Sequence, residues 1–267
     1  MNWILCEILD EKGQVLAQSG QGGAASLILP CGGRSVVLKC GKPGSYCVIQ
    51  LEDTLAPALV YLPQGKAVYQ LPQGEERQVF SPRAFSPGTS VVRARLAQPS
   101  EVEGLRNLAL NPYDSHENKD MFPHAFANVE TRGEAVFAAR NAIDGLYENS
   151  SHGGWPYTSW GINRDPQAAW TIDFGRTVLV EKLRITLRAD FPHDAWWTQG
   201  TVTFSDGFSQ VLAFTKTALP QEFLVSPRQV RSITFHDLIK ADDPSPFPAL
   251  TQFEVWGREL GENQNGN

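Results

Sequence analysis

Ala169-Trp-Thr-Ile-Asp173 and, further on, Lys182-Leu-Arg-Ile-Thr-Leu187 set apolar against polar residues at nearly every second position. On an extended strand successive side chains point to opposite faces, so Leu183, Ile185 and Leu187 share one face and Lys182, Arg184 and Thr186 the other. That is the period of a half-buried β-strand. The same reading places strands downstream at 200–204, 209–213, 221–225, 232–238 and 251–256. Upstream it places them at 3–9, 14–18, 26–29, 35–40, 46–51, 59–62, 67–71 and 90–96. Turn pairs such as Lys12-Gly13, Gly32-Gly33 and Pro43-Gly44 separate them and supply the backbone angles that reversals need. One short helix is predicted over 134–143, stopping at Asp144-Gly145.

A chain of 267 residues has room for two cores, and its 23 Gly, 18 Pro and 14 Phe suit a loop-rich β fold. The expected class is therefore all-β, with two β-sandwich domains. Residues 1–100 form the first, an Ig-like or other small sandwich of unassigned role. Residues 98–106, polar and containing a Pro and a Gly, are the linker, 107–258 form the second domain, and the polar stretch 261–267 is a flexible tail.

Charge is unevenly spread, with 9 basic against 7 acidic residues in 1–100 and 14 against 22 beyond. An acidic second half without clustered Lys and Arg speaks against nucleic acid as a partner. No window approaches the roughly 18 apolar residues of a membrane span. As written, the chain lacks a signal peptide and is expected in the cytoplasm; trimmed of a leader, it would be secreted or displayed at the cell surface. Cys6, Cys31, Cys40 and Cys47 match no zinc spacing and read as buried or free thiols, with one disulfide open to a secreted form.

All five His and six of the seven Trp lie beyond residue 107, which marks the second half as the functional one. Five pieces stand there in order: Asn107-Leu-Ala-Leu, Ala139-Arg-Asn-Ala-Ile-Asp-Gly145, Thr158-Ser-Trp160, Ala169-Trp-Thr-Ile-Asp-Phe-Gly175 and Phe253-Glu-Val-Trp-Gly257. Together they resemble the discoidin family, also called the coagulation factor 5/8 C-type domain, and within it the family 32 carbohydrate-binding modules. The resemblance implies a galactose-binding-like jelly roll for the C-terminal part only. Within the strands, Trp170, Phe174 and Trp256 read as core packing.

The Asn-Ala-Ile-Asp-Gly piece presents Asp144 to the next loop, where it either caps a turn or binds a cation. The resemblance implies a structural calcium site there, with Asp144, Asn149 and Ser150 or Ser151 as ligands. Where the family often has a Glu, this chain has the neutral Gln252, which removes one charge from a site that wants hard anionic oxygen. No other cofactor is called for.

Two loops hold the remaining chemistry. Ser151-His-Gly-Gly-Trp-Pro-Tyr-Thr-Ser-Trp160 and Arg188-Ala-Asp-Phe-Pro-His-Asp-Ala-Trp-Trp-Thr198 combine aromatic, imidazole and charged groups with Gly and Pro. Sandwiches gather such loops at one end, where they face each other across a pocket. Sugars bind by stacking on aromatic rings while Arg, Asp and His hold their hydroxyls. The expected ligand is thus a carbohydrate and the protein non-catalytic. His152, Arg188, Asp190, His193 and Asp194 are the candidate polar contacts, and Trp155, Tyr157, Trp160 and Trp197 the candidate aromatic ones. Two alternatives stay open: a glycan-active hydrolase or lyase using the His and Asp of these loops, and a protein-interaction or adhesion module. Nucleophile elbows, phosphate loops and dinucleotide fingerprints are absent.

Overall fold

The computed structural model describes residues 2–189 and 195–260. Asp190, His193 and Asp194, three of the candidate polar contacts, and the tail 261–267 lie outside the described residues.

The first half contains eight strands: β1 (Ile4–Leu9), β2 (Val15–Gln18), β3 (Ala24–Ile28), β4 (Ser35–Cys40), β5 (Ser45–Gln50), β6 (Ala58–Leu62), β7 (Lys66–Gln70) and β8 (Val91–Leu96). They form two four-stranded antiparallel sheets, ordered β2-β1-β4-β7 and β3-β8-β5-β6. Where a strand alternates, the alternation also builds the core. In β7, Ala67 and Tyr69 are buried while Lys66, Val68 and Gln70 are exposed. Residues of both sheets share one apolar cluster, with Ile4, Cys6, Val36 and Leu38 from one and Cys47, Ile49, Val60 and Val92 from the other. The four cysteines are free thiols; Cys6 and Cys47 are buried, and the sulfurs of Cys40 and Cys47 lie 3.4 Å apart.

A one-turn helix, α1 (Pro99–Glu103), opens the connection to the second half. Glu101 caps it by accepting from the Gln98 amide at 2.8 Å, and Arg95 grips the same carboxylate at 2.6 and 2.7 Å.

The second half adds β9 (Arg106–Asn107), β10 (His124–Ala127), β11 (Trp160–Gly161), β12 (Trp170–Leu187), β13 (Trp197–Phe204), β14 (Ser209–Ala213), β15 (Gln221–Lys240) and β16 (Ala249–Glu259). All pairings are antiparallel. The two long strands, β12 and β15, each serve both layers of a sandwich. At its start β12 pairs with β10 and with the 232–235 stretch of β15, which continues to β13 and β14. Past an irregularity between Asp173 and Val178, β12 pairs with β16 and with 221–230 of β15. Gly175, at φ +69°, makes this break, and its missing Cβ leaves room for the Phe122 ring. The layers face each other through Trp170 on Phe253, with centroids 4.8 Å apart, and Phe235 on Phe253 at 5.7 Å. The chain is thus all-β, with an antiparallel sandwich in its second half.

Three expectations are corrected. Strands expected at 169–173 and 182–187 are one strand, as are those at 221–225 and 232–238, because the pairing of β12 with β15 resumes beyond the irregularity between Asp173 and Val178. The helix expected over 134–143 is two 3-10 turns, Ala135–Phe137 and Ala139–Ile143, parted by Ala138 in extended geometry. Side chains take the carbonyls a helix needs: Asn141 Nδ2 donates to Ala135 O at 2.9 Å, and Trp170 Nε1 to Ala139 O at 3.0 Å. Trp256 is not core; Trp170 and Phe174 are fully buried, but Trp256 lies half-buried under Lys182, its indole donating to Glu254 at 2.8 Å.

The two halves interlock. Tyr113, Met121 and Val136 belong to the apolar cluster of the first half, and Tyr113 Oη donates to Ala56 O at 3.1 Å. Tyr61 and Phe122 exchange backbone hydrogen bonds of 2.9 and 3.0 Å.

Candidate functional site

At one end of the second sandwich several loops enclose a cavity of about 220 Å³. Its wall is built by the turn Thr131–Gly133, the 3-10 turn carrying Phe137, His152, the 159–164 segment, Arg188 and the 247–249 approach to β16.

Close backbone approach shapes this wall. A Cβ on Gly161 would sit 2.6 Å from Thr131 Oγ1, so only glycine lets the two segments meet. The Thr131 hydroxyl then accepts from the Asn163 amide at 2.9 Å. Ile162–Asp165 closes as a tight turn, with Asp165 N donating to Ile162 O at 2.8 Å. Its central residues, Asn163 and Arg164, have φ of 49° and 60°, and Arg132 across the Thr131 contact has 56°. Left-handed backbone costs a residue with a Cβ roughly 1–2 kcal/mol. Three of the five such residues in the described chain therefore lie in this one wall, where the strain aims their side chains.

Two arginines lie over aromatic rings at the rim. The Arg164 guanidinium is 4.5 Å from the Phe247 centroid and has no carboxylate partner among the described residues. That of Arg132 is 5.4 Å from Phe137 and is gripped by both oxygens of Glu134 at 2.5 and 2.7 Å. Deeper in the wall, Ser159 is fully buried and its Oγ has no hydrogen-bond partner. Its backbone is fixed by Val136 O, which accepts from Ser159 N at 3.2 Å, and by Asn141 Nδ2, which donates to Ser159 O at 3.2 Å. A buried hydroxyl without a partner costs about 1–3 kcal/mol. Among the described lining residues none is Asp or Glu.

The sequence-derived candidates divide. His152 lines the cavity, 6.4 Å from the Phe137 ring. Arg188 also lines it but is 1% exposed and acts as a staple, donating to Tyr157 O at 2.6 Å and to Ser151 O. Tyr157 contributes that carbonyl rather than its ring. Trp160 and Trp197 are corrected: both are 0% exposed, packed on each other at 6.3 Å, and present no face to a ligand. Trp155 is 38% exposed but turns away, its amide donating to Gln78 O at 2.7 Å, and it lines a different, polar cleft with Asp53 and Arg83. Thr131, Arg132, Phe137, Ser159, Asn163, Arg164 and Phe247 escaped the sequence reading. Only Asn163, which opens the polar run Asn163-Arg-Asp-Pro166, carried a usable turn signal.

The calcium expectation meets a specific obstacle. Asp144 is buried and accepts from Leu146 N at 2.8 Å. Burial pushes its carboxyl up to about 6, against Arg140 and its hydrogen bonds, which pull it down. Gln252 Nε2 sits among Asn141 O, Asp144 Oδ1 and Leu146 O, and neither Asn149 nor Ser151 hydrogen-bonds to Asp144. Three oxygens converging on an amide nitrogen, with one carboxylate among them, do not fit a hard divalent cation, which takes six to eight oxygens.

No protein-family model matches the chain, and no curated protein matches it. Among solved structures it is similar to chitosan-binding module 1 derived from a chitosanase/glucanase of Paenibacillus sp. IK-5, at 19% identity over 57% of this chain and 99% of that one, with a TM-score of 0.40. The family 32 CBM from C. perfringens NanJ, in complex with galactose, is 18% identical over 49% of this chain and 91% of that one, with a TM-score of 0.38. A fucose binding module of Streptococcus pneumoniae is 17% identical over 58% and 100%, with a TM-score of 0.43. These similarities span 49–58% of this chain.

Proposed function

We propose that this chain is a non-catalytic carbohydrate-binding protein and that its sugar enters the cavity between Ser159, Arg164 and Phe247. The observation that carries this reading is the Ser159 hydroxyl, buried, unpartnered and held by its own backbone in the wall of a small cavity. A sugar hydroxyl both donates and accepts and would satisfy it. Around it stand the parts that sugar recognition uses: an amide at Asn163, a guanidinium at Arg164 and exposed apolar ring surface at Phe247, which is 43% exposed. No helix of the described residues is long and apolar enough to cross a membrane.

The test is a glycan array followed by titration calorimetry on the best binder. Arg164→Ala and Ser159→Ala are expected to weaken binding about tenfold or more, since each removes a hydrogen bond inside a confined site. Trp155→Ala is expected to leave affinity unchanged. Binding that survives both cavity variants and is lost in Trp155→Ala would move the site to the polar cleft. Retention of no glycan would end the carbohydrate reading.

A further inference from the structure

We propose that the side-chain amide of Gln252 stands in for a divalent cation beneath the 141–146 loop, so that the loop holds its shape with no metal bound. The loop takes this shape whatever the cavity binds.

Gln252 reaches the loop from β16 and uses its whole amide on it. Nε2 donates toward Asn141 O at 2.8 Å, Asp144 Oδ1 at 2.7 Å and Leu146 O at 2.9 Å, while Oε1 accepts from Gly145 N at 3.0 Å. Two hydrogens shared among three oxygens make Nε2 the centre of a small oxygen cage, the arrangement that loop carbonyls and a carboxylate otherwise make around a cation. The Gly145 contact fixes the orientation: with the amide turned over, Nε2 would meet the Gly145 N–H, donor against donor. A cation at the centre of the cage would have to expel the NH2 group and forfeit all four bonds.

The charge count points the same way. Asp144 is the one carboxylate in the cage. The next acid along β16, Glu254, is committed to Tyr147 Oη at 2.9 Å, Trp256 Nε1 at 2.8 Å and Arg184 at 3.6 Å. A single anion suffices for a partial positive charge on an amide, where a dipositive ion calls for more. The caged loop then orients the cavity wall, because Asn141 also holds Ser159 O and Asp144 Oδ2 accepts from Thr158 Oγ1 at 3.4 Å.

Thermal melting of the full chain, once with a calcium chelator and once with added calcium, decides the matter. The wild-type midpoint is expected to be the same in both media. Gln252→Met keeps the bulk but strands the oxygens of the cage, so its midpoint should fall by about 5 °C and ignore calcium. Gln252→Glu sets a second carboxylate against Asp144, so its midpoint should fall in chelator and climb when calcium is added. A saturable rise of the wild-type midpoint with calcium overturns the proposal. So does a Gln252→Met protein as stable as wild type, or a Gln252→Glu protein that folds yet ignores calcium. If Gln252→Glu folds in neither medium, the wild-type and Gln252→Met results decide alone.

Discussion

Asp144 shows what one buried carboxylate does to a loop. Its raised pKa, about 6 against an ordinary 3.8, comes first from burial, which the hydrogen bonds of Leu146 and Gln252 only partly offset. The folded protein therefore holds a proton on this group at pH values where the unfolded chain has released it. Stability from this source is fully present below about pH 4 and is lost as the pH rises through about 6. The amount is on the order of 3 kcal/mol. Asp144→Asn keeps an acceptor for Leu146 and Gln252 but cannot ionise. Its stability relative to wild type is expected to improve steadily from pH 4 to pH 7, followed by denaturant unfolding across that range. A difference that stays constant with pH would remove Asp144 from the titration. His124 is also shifted upward, but by its partner rather than by burial: burial lowers its pKa, and the hydrogen bond and charge of Asp114, 2.9 Å away, outweigh burial and raise it.

Strands respond to crowding at points that period-2 patterning does not reveal. Gly257 in β16 lies between β9 and β12, opposite both Arg106 and Val180, and a Cβ there would overlap the Leu179 carbonyl. Because the obstacle is backbone, Gly257→Ala is expected to cost about 1–3 kcal/mol in denaturant unfolding, at the upper end of that span. Gly207→Ala, in an open turn at φ +89°, meets no atom and should cost less. The same contrast explains what the sequence could and could not disclose. All eight strands of the first half were legible within about two residues, because each is a short run that ends on turn residues, β5 to β8 alternating in burial and β1 and β4 mostly apolar. β9, β10 and β11 were not, since β9 and β11 have two residues each and His124-Ala-Phe-Ala127 lacks the β-branched residues that mark a strand. In the site, the loop composition announced aromatic groups without saying which way they face. Trp160 and Trp197 went into the core, while Phe247, a lone aromatic among prolines, came to the rim. Contacts such as Thr131 with Gly161 depend on segments far apart in the chain, and no local pattern encodes them.

At the scale of the whole molecule, the two halves are joined by buried polar contacts as well as by shared apolar residues. Glu259 closes β16, and its side chain is 5% exposed. It accepts from Tyr46 of the first half at 2.9 Å, from Arg106 at 2.5 Å, and from Arg176 at 2.5 and 3.1 Å. The Arg176 guanidinium also lies over the rings of Tyr46 and Tyr61, at 5.4 and 5.1 Å. The burial that makes this cluster is costly to its cations: it draws Arg106 down to about 10, and the charge of Glu259 offsets only part of that. Two guanidiniums thus depend on one carboxylate, and Arg106 Nε has no partner even with Glu259 in place. Removing the acid leaves both cations buried without an anion, a more severe loss than removing either arginine. Glu259→Ala is expected to destabilise the protein by about 3–5 kcal/mol. Arg176→Met retains the apolar stem over Tyr46 and Tyr61 and leaves Glu259 paired with Arg106, so it should cost less. The strongest form of the claim concerns cooperativity. With Tyr113, Met121 and Val136 seated in the first core and Glu259 tied to Tyr46, wild type should unfold in one transition seen alike by tryptophan fluorescence, to which the second half contributes six of the seven Trp, and by far-ultraviolet dichroism. Glu259→Ala should separate the two signals. If they still coincide at wild-type stability, the cluster does not join the halves, and the shared apolar residues alone hold them together.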